Sequence, residues 1–143
     1  KRGAVVAINV KNGNVLVMTS APSFNPNLFV NGISTSDYKV LSNALNRPLY
    51  NRAVRGLYPP ASTVKPFVAI AGLEKGVINV NSHIYDPGWY RLPGVKHAYR
   101  DWKRTGHGVI NVKRAITVSC DTFFYQLGNK TGISAIEDML VQF

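Results

Sequence analysis

The stretch Tyr58–Gly76, YPPASTVKPFVAIAGLEKG, decides the reading of the fold: two prolines run into Ser62, Lys65 follows three residues later, and Pro66 comes directly behind it. From Ser62 to Lys75 the residues are apolar nearly all round, and Gly76 stands where a helix would end. This predicts a buried central helix with Ser62 or Thr63 as its N-cap. Pro66 is tolerated at N3 if Thr63 is the cap, because amides of the first turn have no intrahelical partner. With Ser62 as the cap it falls at N4, and a 3₁₀ start or a kink is expected instead. Pro59 and Pro60 fix an extended approach to the helix.

Upstream, Gly3 to Ser20 is two Val- and Ile-rich runs separated by Asn12-Gly13, which predicts an antiparallel hairpin closed by a type I′ turn. Residues 21–60 carry many Pro, Asn and Ser and no sustained period, and read as a long ordered loop with short helical pieces. Residues 79–108 are polar, aromatic and rich in Gly and Pro, again without clear periodicity. Beyond them, Asn111–Val118 fits a short amphipathic helix, Asp121–Gly128 a second one N-capped by Asp121, and the segment from Ile133 onward a third. A strand pair followed by helices predicts an α+β fold with helices packed on an antiparallel sheet. No internal repeat suggests a solenoid.

With 143 residues, 45% of them apolar, the chain can bury one core and reads as one domain or a piece of one. Its formal charge of +10 admits polyanionic surroundings, but the basic residues are scattered singly, as on a solvated basic surface. No platform of aromatic and basic residues and no groove-reading helix appears, so a basic module binding nucleic acid or anionic wall polymer is disfavoured. Cys120 is the only cysteine, which excludes an internal disulfide. The longest apolar run, Phe67–Leu73, is far short of the ~20 residues a membrane helix needs. The N-terminus shows no signal-peptide pattern, so any anchor is expected outside this chain.

A Ser and a Lys at i and i+3 share a helix face, roughly 5–6 Å apart at Cβ, close enough for the amine to reach the hydroxyl. That is the Ser-Lys form of nucleophile and base. For Lys65 to accept a proton near neutrality its pKa must fall from about 10.4 towards 7, and burial and a helix N-terminus both push that way. The spacing alone arises by chance, and an N-cap Ser before a surface Lys would show it equally. The prolines and the apolar run around Lys65 argue against a merely solvated side chain.

The surroundings go further. NRAVRGLYPPASTVKPFVAIAGLEKG (Asn51–Gly76) closely resembles the acylation motif of penicillin-binding transpeptidases, and VVAINVKNGNVLVMTSAPSFNPN (Val5–Asn27) resembles the first core strands of that domain. Fifty-seven residues after Ser62, Ser119-Cys120-Asp121 stands where the family has Ser-x-Asn. The resemblance covers essentially the whole chain and points to the class B enzymes of cell elongation. It implies a D,D-transpeptidase in which Ser62 is acylated by D-Ala-D-Ala stem peptides or β-lactams, Lys65 handles its proton, and Ser119 relays one to the leaving amine. Asp121 departs from the family's Asn, exchanging an amide donor for an acceptor beside Lys65. The Lys130-Thr131-Gly132 triplet is a decoy for the third motif, since it lies nine residues after Asp121 and before a helical pattern. The true K-T-G strand is expected beyond Phe143, leaving this chain inactive alone.

Similar elongation transpeptidases carry a structural zinc beside the Ser-x-Asn loop, and the matching positions are Asp86, Asp101, His107 and Cys120. The spacing resembles no zinc-finger signature. Cys120, between Ser119 and Asp121, would point opposite to both in an extended loop and face into the protein. The resemblance further implies peptidoglycan stem peptides, β-lactams, a membrane-embedded glycosyltransferase and elongation-complex proteins as partners, at the periplasmic face of the inner membrane. A class D β-lactamase or β-lactam sensor shares the Ser-x-x-Lys and is separated from a transpeptidase by rapid deacylation.

Overall fold

The hairpin expected near the N-terminus is present in the computed structural model, which describes Lys1–Phe143: β1 (Gly3–Ile8) pairs antiparallel with β2 (Val15–Ala21) from Gly3↔Ala21 to Ile8↔Val15. The type I′ turn is not. Only Gly13 has a positive φ, and a longer loop closes between Asn9 and Asn14, with the Asn9 N–H donating to the Asn14 carbonyl at 2.8 Å. Side chains explain the difference. Asn9 Oδ1 accepts from the Lys11 N–H and Asn12 Oδ1 from the Asn14 N–H, local bonds that hold the loop in turns of their own.

The hairpin belongs to the first of two compact units, Lys1–Tyr58 and Pro59–Phe143. The loop expected over residues 21–60 contains a 3₁₀ turn (Pro26–Phe29), a real helix α1 (Thr35–Asn43) and a single turn α2 (Arg52–Arg55). Helix α1 has a start signal in Ser34-x-x-Asp37: Ser34 Oγ accepts from the Asp37 N–H at 3.0 Å and donates to Asp37 Oδ2 at 2.7 Å. The unit lacks a dry centre. Val5, Val6, Ile8, Val15, Leu16, Val17 and Met18 are all exposed.

The second unit holds the single core that composition predicts. Its central helix α3 (Lys65–Glu74) starts later than expected, after a 3₁₀ turn over Ala61–Val64. Neither Ser62 nor Thr63 caps it. The Thr63 hydroxyl donates to the Pro60 carbonyl instead, and Ala61 sits at φ 50, so the chain enters the helix through the tighter turn and Pro66 occupies a first-turn position. Gly76 ends the helix at φ 69, as its position predicts.

The aperiodic segment 79–108 resolves into short strands. β3 (His83–Asp86) pairs antiparallel with β6 (Gly108–Asn111), and β4 (Trp89–Tyr90) with β5 (Tyr99–Arg100). Helices α4 (Val112–Thr117), α5 (Asp121–Thr131) and α6 (Ile133–Leu140) follow. Val68 and Ala69 of α3 bury with Ile84, Ile110, Ala115, Phe123 and Leu127, so the core joins α3 to the small sheet and to α5. Lys130 and Thr131 close α5 and Gly132 caps it, placing that K-T-G in a helix end and not on a strand.

Candidate active site

Two elements begin side by side. Lys65 is the first residue of α3 and is buried, Ser62 lies in the exposed 3₁₀ turn just before it, and Ser119-Cys120-Asp121 forms the junction of α4 and α5. Lys65 Nζ donates to Asp121 Oδ1 at 2.6 Å, to the Ser119 carbonyl at 2.8 Å and to Ser119 Oγ at 3.1 Å. Three acceptors saturate the three N–H groups of an ammonium. Ser119 Oγ in turn donates to Ser62 Oγ at 2.9 Å. The direct Ser62–Lys65 contact that the spacing predicts is therefore replaced by a two-step run through Ser119, because Asp121 and the Ser119 carbonyl draw Nζ away. The Phe124 ring, 5.6 Å from Nζ, covers the amine on the core side.

The cap of α5 also differs from the expected one. Cys120, not Asp121, is the N-cap: its Sγ accepts from the Phe123 N–H at 3.3 Å. Asp121 is the first helical residue, where the helix dipole favours its negative charge. The junction is not an extended loop, since Ser119 stands at φ 53. Cys120 nevertheless faces inward as expected and is fully buried.

There it meets the other three residues singled out in the sequence. One ligand atom each of Asp86, Asp101, His107 and Cys120 lies within 4.8 Å of all the others. Asp86 ends β3, and its Oδ2 lies 2.8 Å from His107 Nδ1 and 3.3 Å from Cys120 Sγ. Burial pushes the Asp86 carboxyl up, but the Gly88 N–H, the His107 ring, the Cys120 thiol and the His107 N–H outweigh it and hold it below the ordinary carboxylate value. Asp101 behaves alike: burial raises it, the N–H groups of Lys103 and Thr122 and the Cys120 thiol lower it, and the net direction is down. Burial pushes the Cys120 thiol strongly up.

Two ionised carboxylates in a buried cluster with one imidazole form an electrostatically incomplete set, which a cation would complete. One sulfur, one ring nitrogen and two carboxylate oxygens are the donor set of a closed tetrahedral zinc site, and such an ion would reverse the direction at Cys120 by taking the thiolate. The residues fit a zinc ion.

Sequence reasoning missed what makes the cluster possible. Gly88 (φ 90) and Gly106 (φ 71) pass so closely that a Cβ on Gly106 would fall 2.1 Å from the Asp86 carbonyl oxygen, and one on Gly88 2.3 Å from that of Arg104. Both glycines stand in the sequence, but nothing local marks them as crossing each other. Trp102 was also missed. Its indole N–H donates to the Val118 carbonyl at 3.0 Å, next to Ser119, and no short-range pattern announces a contact sixteen residues away.

A buried lysine at a helix start, bonded to a second serine that meets a first one, is the arrangement expected of a penicillin-recognising transpeptidase. The chain belongs to the penicillin binding protein transpeptidase domain family, whose model matches residues 3–143. It is similar to the peptidoglycan D,D-transpeptidase MrdA of Acinetobacter baumannii, at 51% identity over 143 residues, 100% of this chain and 21% of that protein. Among solved structures it is similar to penicillin-binding protein 2 of Helicobacter pylori in complex with MreC, at 40% identity and TM-score 0.87, covering 99% of this chain and 26% of that one. It is also similar to penicillin-binding protein A of M. tuberculosis as a penicillin G acyl-enzyme complex, at 28% identity and TM-score 0.80, over 94% of this chain and 32% of that one. The chain thus spans about a fifth of the length of the curated relative it matches. Among its helices none is long and apolar enough to cross a membrane.

Proposed function

We propose that the chain is the nucleophile-bearing part of a peptidoglycan D,D-transpeptidase. The observation that carries this reading is the run Ser62 Oγ, Ser119 Oγ, Lys65 Nζ, with steps of 2.9 and 3.1 Å. Ser62 Oγ attacks the carbonyl carbon of the D-Ala-D-Ala amide in a stem peptide. The C–N bond breaks, D-Ala leaves, and an ester to Ser62 forms. In this step Lys65 acts as the neutral amine: the proton lost by Ser62 passes through Ser119 to Nζ, and Ser119 returns one to the leaving amine. An amine of a neighbouring stem peptide then attacks the ester, forms the cross-link and frees Ser62. Backbone amides, Ser62's own among them, hold the oxyanion. The third motif, a K-T-G strand, is supplied by the longer protein.

β-Lactams acylate the same serine. The penicillin G acyl-enzyme of the mycobacterial neighbour supports this step, and the MreC complex of the Helicobacter neighbour supports MreC as a partner. The same reading has the protein work with elongation-complex proteins and a membrane-embedded glycosyltransferase at the periplasmic face of the inner membrane. Asp86, Asp101, His107 and Cys120 hold a structural zinc, which supplies positive charge to the buried cluster and no step of the acyl transfer.

The test uses the full-length protein carrying this chain. Labelled penicillin is expected to give a mass adduct on Ser62 that is absent in Ser62→Ala, and no adduct at Ser62 would end the reading. Elemental analysis after chelating-resin treatment should find zinc above a Cys120→Ser control.

A further inference from the structure

We propose that Trp102 is a positioning residue for the catalytic turn, its indole N–H holding the peptide that keeps the Ser119 hydroxyl between Ser62 and Lys65. The inference rests on the proposed serine acyl transfer and adds a residue to it.

Ser119 is one of three residues other than glycine with a positive φ, at 53°. A serine there is strained and persists only where its surroundings fix it. The peptides on both sides of Ser119 are held from outside the turn. The carbonyl after it accepts from Lys65 Nζ at 2.8 Å, and the carbonyl before it, that of Val118, accepts from Trp102 Nε1 at 3.0 Å. The first clamp is part of the catalytic run. The second comes from a side chain with no place in the chemistry.

Burial does not explain that side chain, since Trp102 is 63% exposed. What keeps it in place is its neighbourhood: Asp101 before it belongs to the buried cluster, and its ring meets the His107 ring in an edge contact with centroids 5.4 Å apart. The indole therefore spans from the cluster to the turn, and its one directional bond falls on the peptide that sets the Ser119 φ. A tryptophan provides a rigid arm with a single donor at its far edge, which suits a clamp on one carbonyl.

The experiment compares full-length protein with Trp102→Phe, which keeps a ring and removes the N–H. Losing one hydrogen bond to the turn should slow Ser62 acylation by labelled penicillin roughly five- to tenfold. The loss should fall on the first-order acylation constant, with the dissociation constant of the non-covalent complex unchanged. Metal content and melting temperature should match the unmodified protein. In a Ser119→Ala background the same change should cause no further loss, because there is no hydroxyl left to position. Trp102→Phe acylating at the unmodified rate, an equal further loss in the Ser119→Ala background, or loss of metal together with rate would each overturn the assignment. Failure of the acyl-transfer reading looks different: the unmodified protein itself would carry no adduct at Ser62.

Discussion

Two clusters share the tripeptide Ser119-Cys120-Asp121 and differ in almost everything else. Ser119 and Asp121 face Lys65 and Ser62 in a site that stays partly open: Ser62 is exposed and the Asp121 side chain is 27% accessible. Cys120, between them, faces Asp86, Asp101 and His107 in a cluster closed to water. The open cluster is balanced as it stands, with the Lys65 amine set 2.6 Å from the Asp121 carboxylate. The closed one is short of positive charge. Neighbouring residues can serve such opposite regimes because the turn at Ser119 sends successive side chains to opposite sides.

The comparison breaks most completely at Lys65. Removing its amine in Lys65→Ala takes away the acceptor of the Ser119 proton and the clamp on the Ser119 carbonyl together. Acylation by labelled penicillin is expected to fall by about 10³-fold or more, at the upper part of the range for a lost general base. Zinc content should not change, because no cluster residue is touched. A variant that acylates within tenfold of the unmodified rate would remove Lys65 from the chemistry.

On the closed side, Gly106→Ala is the corresponding break. The new methyl would sit against the Asp86 carbonyl at a φ that favours glycine, so β3, which carries Asp86, and the loop carrying His107 must part. A loss of about 3 kcal/mol is expected in denaturant unfolding of the full-length protein, within the range of severe backbone substitutions, together with loss of metal. Unchanged stability would show that the crossing of residues 88 and 106 is not what holds the cluster. Chelation of the unmodified protein should reproduce the metal-free state without the backbone change, and so separates the two contributions.

The sequence made these clusters legible to very different degrees. Ser62 and Lys65 announce themselves locally, through prolines on both sides and an apolar run that predicts burial. Asp86, Asp101, His107 and Cys120 do not, because their spacing follows the paths of β3 to β6 and not a ligand motif, and only the resemblance to a family brought them together. The fold class could be read from the Val-rich hairpin and the helix patterns. The late start of α3 and the cap of α5 could not, since both turn on single hydrogen bonds, Thr63 to Pro60 and Phe123 to Cys120, that compete with equally plausible caps one or two residues away.

The finest test makes one chemical change on each side of the shared turn. In Asp121→Asn the side-chain oxygen can still accept from Lys65 Nζ. The pair is partly solvated, so the loss in stability should stay near or below about 1 kcal/mol, and Ser62 acylation should stay within about tenfold of the unmodified rate. In Asp101→Asn the same replacement meets a different surrounding. The two oxygens of Asp101 accept from the Lys103 N–H at 3.0 Å and the Thr122 N–H at 3.1 Å, so an amide must turn its NH₂ group towards one of these donors at a buried position. That mismatch is expected to cost about 1–3 kcal/mol, before any effect on metal, because a buried donor is left unsatisfied. Thermal unfolding of the two variants side by side reads the difference directly. Equal destabilisation would mean that the open and closed clusters are one electrostatic unit, and that the turn at Ser119 does not insulate them.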